Sequence, residues 1–300
     1  MSAFAMLLLC LGIGVLAARY GRVPQAAPPA LNWWILNAAL PALVLAEVPK
    51  LQFSSDLLLP VLPVLAMWIV FLGAVVLFPL LGRVFGWDRG TVGALTLTCG
   101  LGNTAFLGYA MVEALRGPEA LGPAIIADQI GCFMALSTGG VMVAAIYAGK
   151  QPKAHEIIHK VLFFPSFLAF VVALLVRQLG GWPEAVLVIL ERLGSTLTPL
   201  ALFSVGLQFR LSGDGDTVPL LSGLVWKLAL APLAVAVVGV LLGVHGFTLQ
   251  ASVLQAGMAP MISAGILAAQ SGLAPALANR VVSLGILASL GTVPLINLLL

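Results

Sequence analysis

The stretch GLGNTAFLG, Gly100–Gly108, interrupts a run that otherwise reads as a membrane-spanning helix. Its glycines bracket an Asn-Thr pair where lipid favours Leu or Val. In hydrocarbon an unpaired backbone amide costs several kcal/mol, so irregular backbone survives only inside protein or beside a water-filled cavity. The residues therefore predict a helix that breaks at Gly100, Gly102 and Asn103. A second break is expected at Pro260 in GMAPMISAG, Gly257–Gly265. Proline removes one helical hydrogen bond and obstructs another.

The surrounding composition sets the solvent. The chain has 300 residues, 61% hydrophobic and 8% charged, with a mean hydropathy of +1.12. A water-soluble surface cannot be made from so few polar groups, so the fold class read here is an all-α polytopic membrane protein. The net charge of +3 is small and scattered, and excludes nucleic acid as a partner. Cys10, Cys99 and Cys132 lie in apolar segments and read as small buried hydrophobes. The N-terminal MSAFAMLLLCLGIGVLAARYG lacks a basic leader, and reads as a first transmembrane helix rather than a cleaved signal. No P-loop points to a nucleotide-driven pump and no Gly-x-Ser-x-Gly elbow to a hydrolase. No cofactor is expected, and the chain does not read as an enzyme.

A span needs roughly 20 apolar residues. Punctuation by Gly, Pro and charge gives ten expected spans, at about 3–18, 27–48, 57–82, 91–115, 119–148, 157–179, 185–210, 217–243, 248–270 and 274–298. The polar GKQPKAHEIIHK stands mid-chain, so 1–149 and 157–300 read as two five-helix repeats joined by a linker at 150–156. The halves align: LPALVLAEV around Pro41 with TPLALFSVG around Pro199, Trp68 with Trp226, and GLGNTAFLG with GMAPMISAG. Pro123 aligns with Pro275, and Asp128 with Arg280. An odd number of spans per half implies a five-plus-five inverted repeat, with the broken fourth and ninth helices crossing. Loops after odd-numbered spans carry Arg19, Arg22, Arg83, Arg89, Lys150, Lys153, Lys160 and Arg210. That side is expected to be cytoplasmic. Both termini then lie outside the cytoplasm, in a plasma (inner) membrane.

Two broken helices crossing at the midplane aim helix N-termini at a cavity and offer amides to an anion. Asn103, Thr104, Pro260, Met261 and Ser263 are the candidate substrate-binding residues there. Ionisable groups deep in a span cost about 2.5–3.5 kcal/mol on insertion scales and are functional candidates. Asp128, Lys227 and Arg280 fall in that class. Asp128 and Arg280 are expected about 10–14 Å into the membrane, as a mutually compensating pair. Arg280 is read as shared with substrate, and Asp128 and Lys227 as ion- or proton-coupling groups. His155–His159, HEIIH, also matches the zinc-protease motif and needs a third ligand such as Asp214 or Asp216. A solvated basic linker explains the same residues more simply.

At these positions the chain resembles the auxin efflux carrier family. The matching residues are Asn103-Thr104-Ala105-Phe106-Leu107-Gly108, Glu113-Ala114-Leu115-Arg116-Gly117, Leu254-Gln255-Ala256 with Pro260, and Thr292-Val293-Pro294-Leu295. It departs from the family pattern at Ala110, Met261 and Ser263, where family members often carry Pro, Pro and Asn. The resemblance implies a secondary carrier for a small organic anion, such as a carboxylate or auxin-like acid. It further implies a scaffold of the first, second, sixth and seventh spans, a mobile domain of the rest, elevator movement and a homodimer. The runner-up is a sodium-coupled symporter or cation/proton antiporter, with H+ or Na+ held at Asp128.

Overall fold

The computed structural model describes residues 2–21, 23–24, 26–50, 58–149, 162–208 and 216–300. His155–His159, Asp214, the expected linker, and Arg22, Lys150, Lys153, Lys160 and Arg210 lie outside them. In chain order the helices used here are α1 Ser2–Tyr20, α2 Ala27–Lys50, α3 Leu58–Phe85, α4 Arg89–Gly100, α5 Tyr109–Arg116 and α6 Pro118–Tyr147. They continue as α7 Pro165–Gln178, α8 Glu184–Gln208, α9 Thr217–Leu241, α10 Gly246–Ala256, α11 Ile262–Gln270 and α12 Pro275–Leu299.

The expectation of ten spans in a five-plus-five inverted repeat does not hold. Among the described residues, six helical stretches are long and apolar enough to cross a membrane: Ala27–Lys50, Val61–Phe85, Pro118–Tyr147, Glu184–Gln208, Thr217–Leu241 and Pro275–Leu299. The sixth expected span holds only a shorter apolar helix, Pro165–Gln178, and in the first the apolar stretch with described side chains is Ala5–Tyr20 of α1. The segments expected at 91–115 and 248–270 are each two short helices flanking a non-helical stretch. An apolar run measures how much chain avoids water, whereas a span also needs about 20 residues of continuous helix. Glycine and proline in these runs separate the two quantities.

Apolar side chains also cover the outside. Leu72, Val76, Leu175 and Val237 are each at least half exposed, on a scale that water would not tolerate and acyl chains would. The protein is thus a multi-pass membrane protein. Small residues let helices meet inside it: a Cβ at Gly14 of α1 would lie 2.9 Å from Gly206 Cα of α8 and closer still to Phe203 O. This backbone-to-backbone approach is the small-residue packing that replaces hydrophobic force in lipid. Within α2, Pro41 is accommodated by a π-helical turn at Ile35–Ala39. Outside the apolar band, Asp88 caps α4 by accepting from Thr91 N at 2.9 Å. That backbone hydrogen bond holds its carboxyl below the usual carboxylate range.

The helices pack in two groups. α1 lies along α8 and α2 lies against α7 and α8, while α3 gathers α4, α6, α9 and α10. The two backbone breaks belong to the second group.

Candidate functional site

After α4 the chain is extended at Leu101 and resumes helix at a π-helical turn, Thr104–Gly108, that runs into α5. After α10 it unwinds through Pro260 and resumes helix at Ile262. The two interruptions satisfy each other. Gly102 and Pro260 form an antiparallel bridge. Asn103 N donates to Ala259 O at 2.8 Å, and Met261 N donates to Leu101 O at 3.1 Å. Proline cannot donate, so the residues beside it make the bonds. Gly102 is closely packed: a Cβ there would lie 3.0 Å from Lys227 Nζ and 3.3 Å from Thr104 Cγ2, so its neighbours would have to give by a few tenths of an ångström.

Both restarted helices point their N-terminal ends into one cavity of about 220 Å³. Asn103, Thr104, Asp128, Met261 and Ser263 line it, together with Ile262. Asn103 caps the first restarted helix, its Oδ1 accepting from Leu107 N at 3.3 Å. Its Nδ2 is buried and has no protein partner. A buried donor without a partner is costly unless something else accepts from it.

Asp128, in α6, is buried and is the charged side chain of this cavity. Three neutral donors surround its carboxylate: Thr104 Oγ1 donates to Oδ1, while Tyr109 Oη and Gln129 Nε2 each donate to Oδ2 at 2.7 Å. Thr104 therefore joins the helix break to the carboxylate. Gln255 ties the same turn to α10, donating to Thr104 O at 3.2 Å and Ala124 O at 3.3 Å. Tyr109 and Gln129 are not singled out by sequence reasoning, and Gln255 enters there only within the family-like motif Leu254-Gln255-Ala256. Tyr109 is six positions beyond Asn103, and only the folded turn brings its hydroxyl to Asp128.

Lys227 stands behind the crossing, fully buried, with Nζ donating to Ala256 O at 2.7 Å. Pro260 lies in the bridge itself. Arg280 is elsewhere: it lines a separate cavity with Thr91, near the start of α4, and Asp216, the cap of α9. No ion pair joins Arg280 to Asp128; the described salt bridges are Lys50 with Glu47 and Lys50 with Glu191. The expected Asp128–Arg280 pair is not formed. Arg280 stands beside the first residues of α4, α9 and α12, whereas the break lies at the other end of α4.

Among the described residues no group of three or more His, Cys, Asp or Glu is placed to hold a metal ion.

A multi-pass helical protein with two mutually paired helix breaks beside a largely apolar cavity that holds a few polar groups has the build of a membrane transporter. The model of the family described as "Membrane transport protein" matches residues 1–297, and the chain belongs to that family, of the auxin efflux carrier type. It is accordingly a transporter rather than an enzyme. The chain is 29% identical over 276 residues to an "uncharacterized transporter" of Methanothermobacter thermautotrophicus, covering 90% of this chain and 88% of the relative. It is 27% identical over 217 residues to an "uncharacterized transporter" of Methanocaldococcus jannaschii, covering 69% and 68% respectively.

Proposed function

We propose that the protein is a secondary carrier for a small organic anion, bound in the cavity where the two restarted helices meet. The observation that carries this reading is the unpartnered Asn103 Nδ2 at a helix N-terminus, opposite a second N-terminus at Ile262. Free amides and the positive end of each helix dipole favour a carboxylate there. Ser263 adds a hydroxyl, and Lys227 an amine behind the bridge. About 220 Å³ is below the roughly 300–1,000 Å³ of drug-sized sites and suits a metabolite of a few carbons.

Asp128 supports a coupled mechanism. An anion entering beside an ionised carboxylate is repelled, so Asp128 must bind a proton or a cation when the substrate binds. A sodium-coupled symporter is the second reading, favoured by the same carboxylate and the carbonyls at the breaks. The cavity lies between the two helix groups, with Asn32 and Phe164 on one side and Asn103 and Ile262 on the other. That placement supports an elevator movement of the α3–α6 and α9–α12 group against α1, α2, α7 and α8. We assign the carrier to the plasma membrane, with the Arg19 side cytoplasmic, and to a homodimer.

Uptake of labelled mono- and dicarboxylates into proteoliposomes, with and without Na+ and across pH, tests the reading. Saturable uptake that loses its ion dependence in Asp128→Asn supports it. Absence of uptake for the whole panel, or unaltered ion dependence in that variant, rejects it.

A further inference from the structure

Two further cavities flank the site, toward opposite ends of α1. One, of about 620 Å³, is bordered by Ala18 and Gly21 of the α1 end and Gln208 of the α8 end. It shares Ile262 and Ile266 with the substrate cavity, so the two adjoin. The other, of about 270 Å³, is bordered by Met6 of α1 and Ser195 of α8. Met6 and Ala18 are separated by about 18 Å along the helix at 1.5 Å per residue. This second cavity is acidic: Glu47, Glu113 and Glu191 line it. Tyr109 lines it too, one helical turn before Glu113.

Tyr109 is therefore a partition. Tyr109 is among the residues bordering the acidic cavity, and its hydroxyl donates at 2.7 Å to Asp128, which borders the substrate cavity. The side chain is almost wholly buried, at 1% exposure, so no open channel joins the two spaces. The titratable groups around this contact are Cys132, four residues on from Asp128, and Lys227 beyond Gly102. On the far side stand the three glutamates, two of them bridged by Lys50.

We propose that the Tyr109 hydroxyl relays protons between Asp128 and the acidic cavity at the Met6 end of α1. The step balances without any other reactant. Tyr109 passes its hydroxyl proton to Asp128 Oδ2 and takes a replacement on Oη from a hydronium ion of the acidic cavity, which is left as water. One O–H bond breaks at the hydronium ion and one at Tyr109, one forms at Tyr109 and one at Asp128, and Tyr109 ends neutral. About 270 Å³ holds several waters at about 30 Å³ each, and the glutamates keep protons concentrated beside them. Asp128 then discharges into the substrate cavity, reached from the Ala18 end. The relay rests on the reading of Asp128 as the coupling carboxylate, and it makes the coupling ion a proton.

Such a route conducts protons slowly even with no organic anion present. The test uses the full chain in phosphatidylethanolamine/phosphatidylglycerol vesicles, with a potassium gradient and valinomycin driving protons and pyranine reporting lumenal pH. Wild type should acidify the lumen faster than protein-free vesicles. Tyr109→Phe and Asp128→Asn should fall to the protein-free rate, and Tyr109→His, which retains a relay group, should recover flux. A Ser195→Cys variant gives an approach that spares Tyr109. It should conduct like wild type until a bulky maleimide fills the acidic cavity, and then stop, while labelled wild type continues. Wild-type flux equal to protein-free vesicles, undiminished flux in folded Tyr109→Phe, or conduction through the plugged Ser195→Cys variant would each overturn the relay. Exchange of labelled malonate in the same vesicles separates the two proposals. Exchange without proton flux removes the relay and keeps the carrier. Proton flux without exchange of malonate or any of the panel acids keeps the relay and removes the carrier.

Discussion

Asn103→Asp separates two tasks that one side chain performs. Oδ1 caps the restarted helix by accepting from Leu107 N at 3.3 Å, while the buried Nδ2 has no protein partner. Aspartate keeps the cap acceptor and removes the donor at nearly constant volume. A carboxylate at a helix N-terminus gains about 0.3–1 kcal/mol, but Asn103 is buried beside Asp128, where desolvation and like-charge repulsion oppose that gain, so stability in detergent should hold or fall. The ligand, by contrast, loses a hydrogen bond to its charged group, worth about 1.5–3 kcal/mol. That corresponds to roughly 10- to 150-fold in Kd, and a second carboxylate beside Asp128 adds repulsion. Asn103→Ala is the complementary variant: it should cost about 1 kcal/mol through the lost cap and weaken binding as well. Thermal unfolding with and without ligand, together with equilibrium binding of a labelled carboxylate, gives both quantities. Parental affinity in folded Asn103→Asp would show that the unpartnered amide does not face the ligand.

Lys227→Met should retain or raise the unfolding temperature while abolishing uptake, because a buried ammonium with one carbonyl partner costs more to desolvate than a thioether. A fall in stability with normal uptake would make Lys227 a structural strut. Gly285→Ala sets a Cβ 2.6 Å from Pro260 Cγ and closer to Cδ, an overpacking expected to cost about 1–3 kcal/mol; unchanged thermal stability would mean that the bridge gives way freely. Asp88 has a folded-state pKa below its ordinary value. Its contribution is therefore present above the unfolded carboxylate pKa and lost as pH falls through the lower, folded one. Asp88→Ala should lower stability at neutral pH and flatten that acid limb, read by unfolding scans from neutral to acid pH.

The residues that make the site were legible where they break a rule of the bilayer. Asn103, Thr104, Asp128 and Ser263 are polar where lipid favours apolar side chains, and all four line one cavity. Tyr109, Gln129 and Gln255 violate nothing so plainly: an aromatic or an amide in a helix is explained as well by packing. Their roles come from the turn at Thr104–Gly108, which hydrogen-bonding geometry fixes and composition does not. Arg280 shows the opposite error. Counting along an apolar run sets Arg280 deep, whereas the fold sets it near the start of α12, beside Thr91 near the start of α4 and the α9 cap Asp216. The number of spans failed for a related reason, since the breaks that mark the site also divide the helices that carry it.

Protection of a Ser263→Cys variant tests most directly whether substrate binds between the two restarted helices. Ser263 is exposed to the cavity, so a small thiosulfonate should label the introduced thiol at a measurable rate. A carboxylate that the protein transports should slow that labelling in proportion to occupancy, with a half-maximal concentration equal to its Kd. An undiminished rate at saturating carboxylate would place the substrate elsewhere in the molecule.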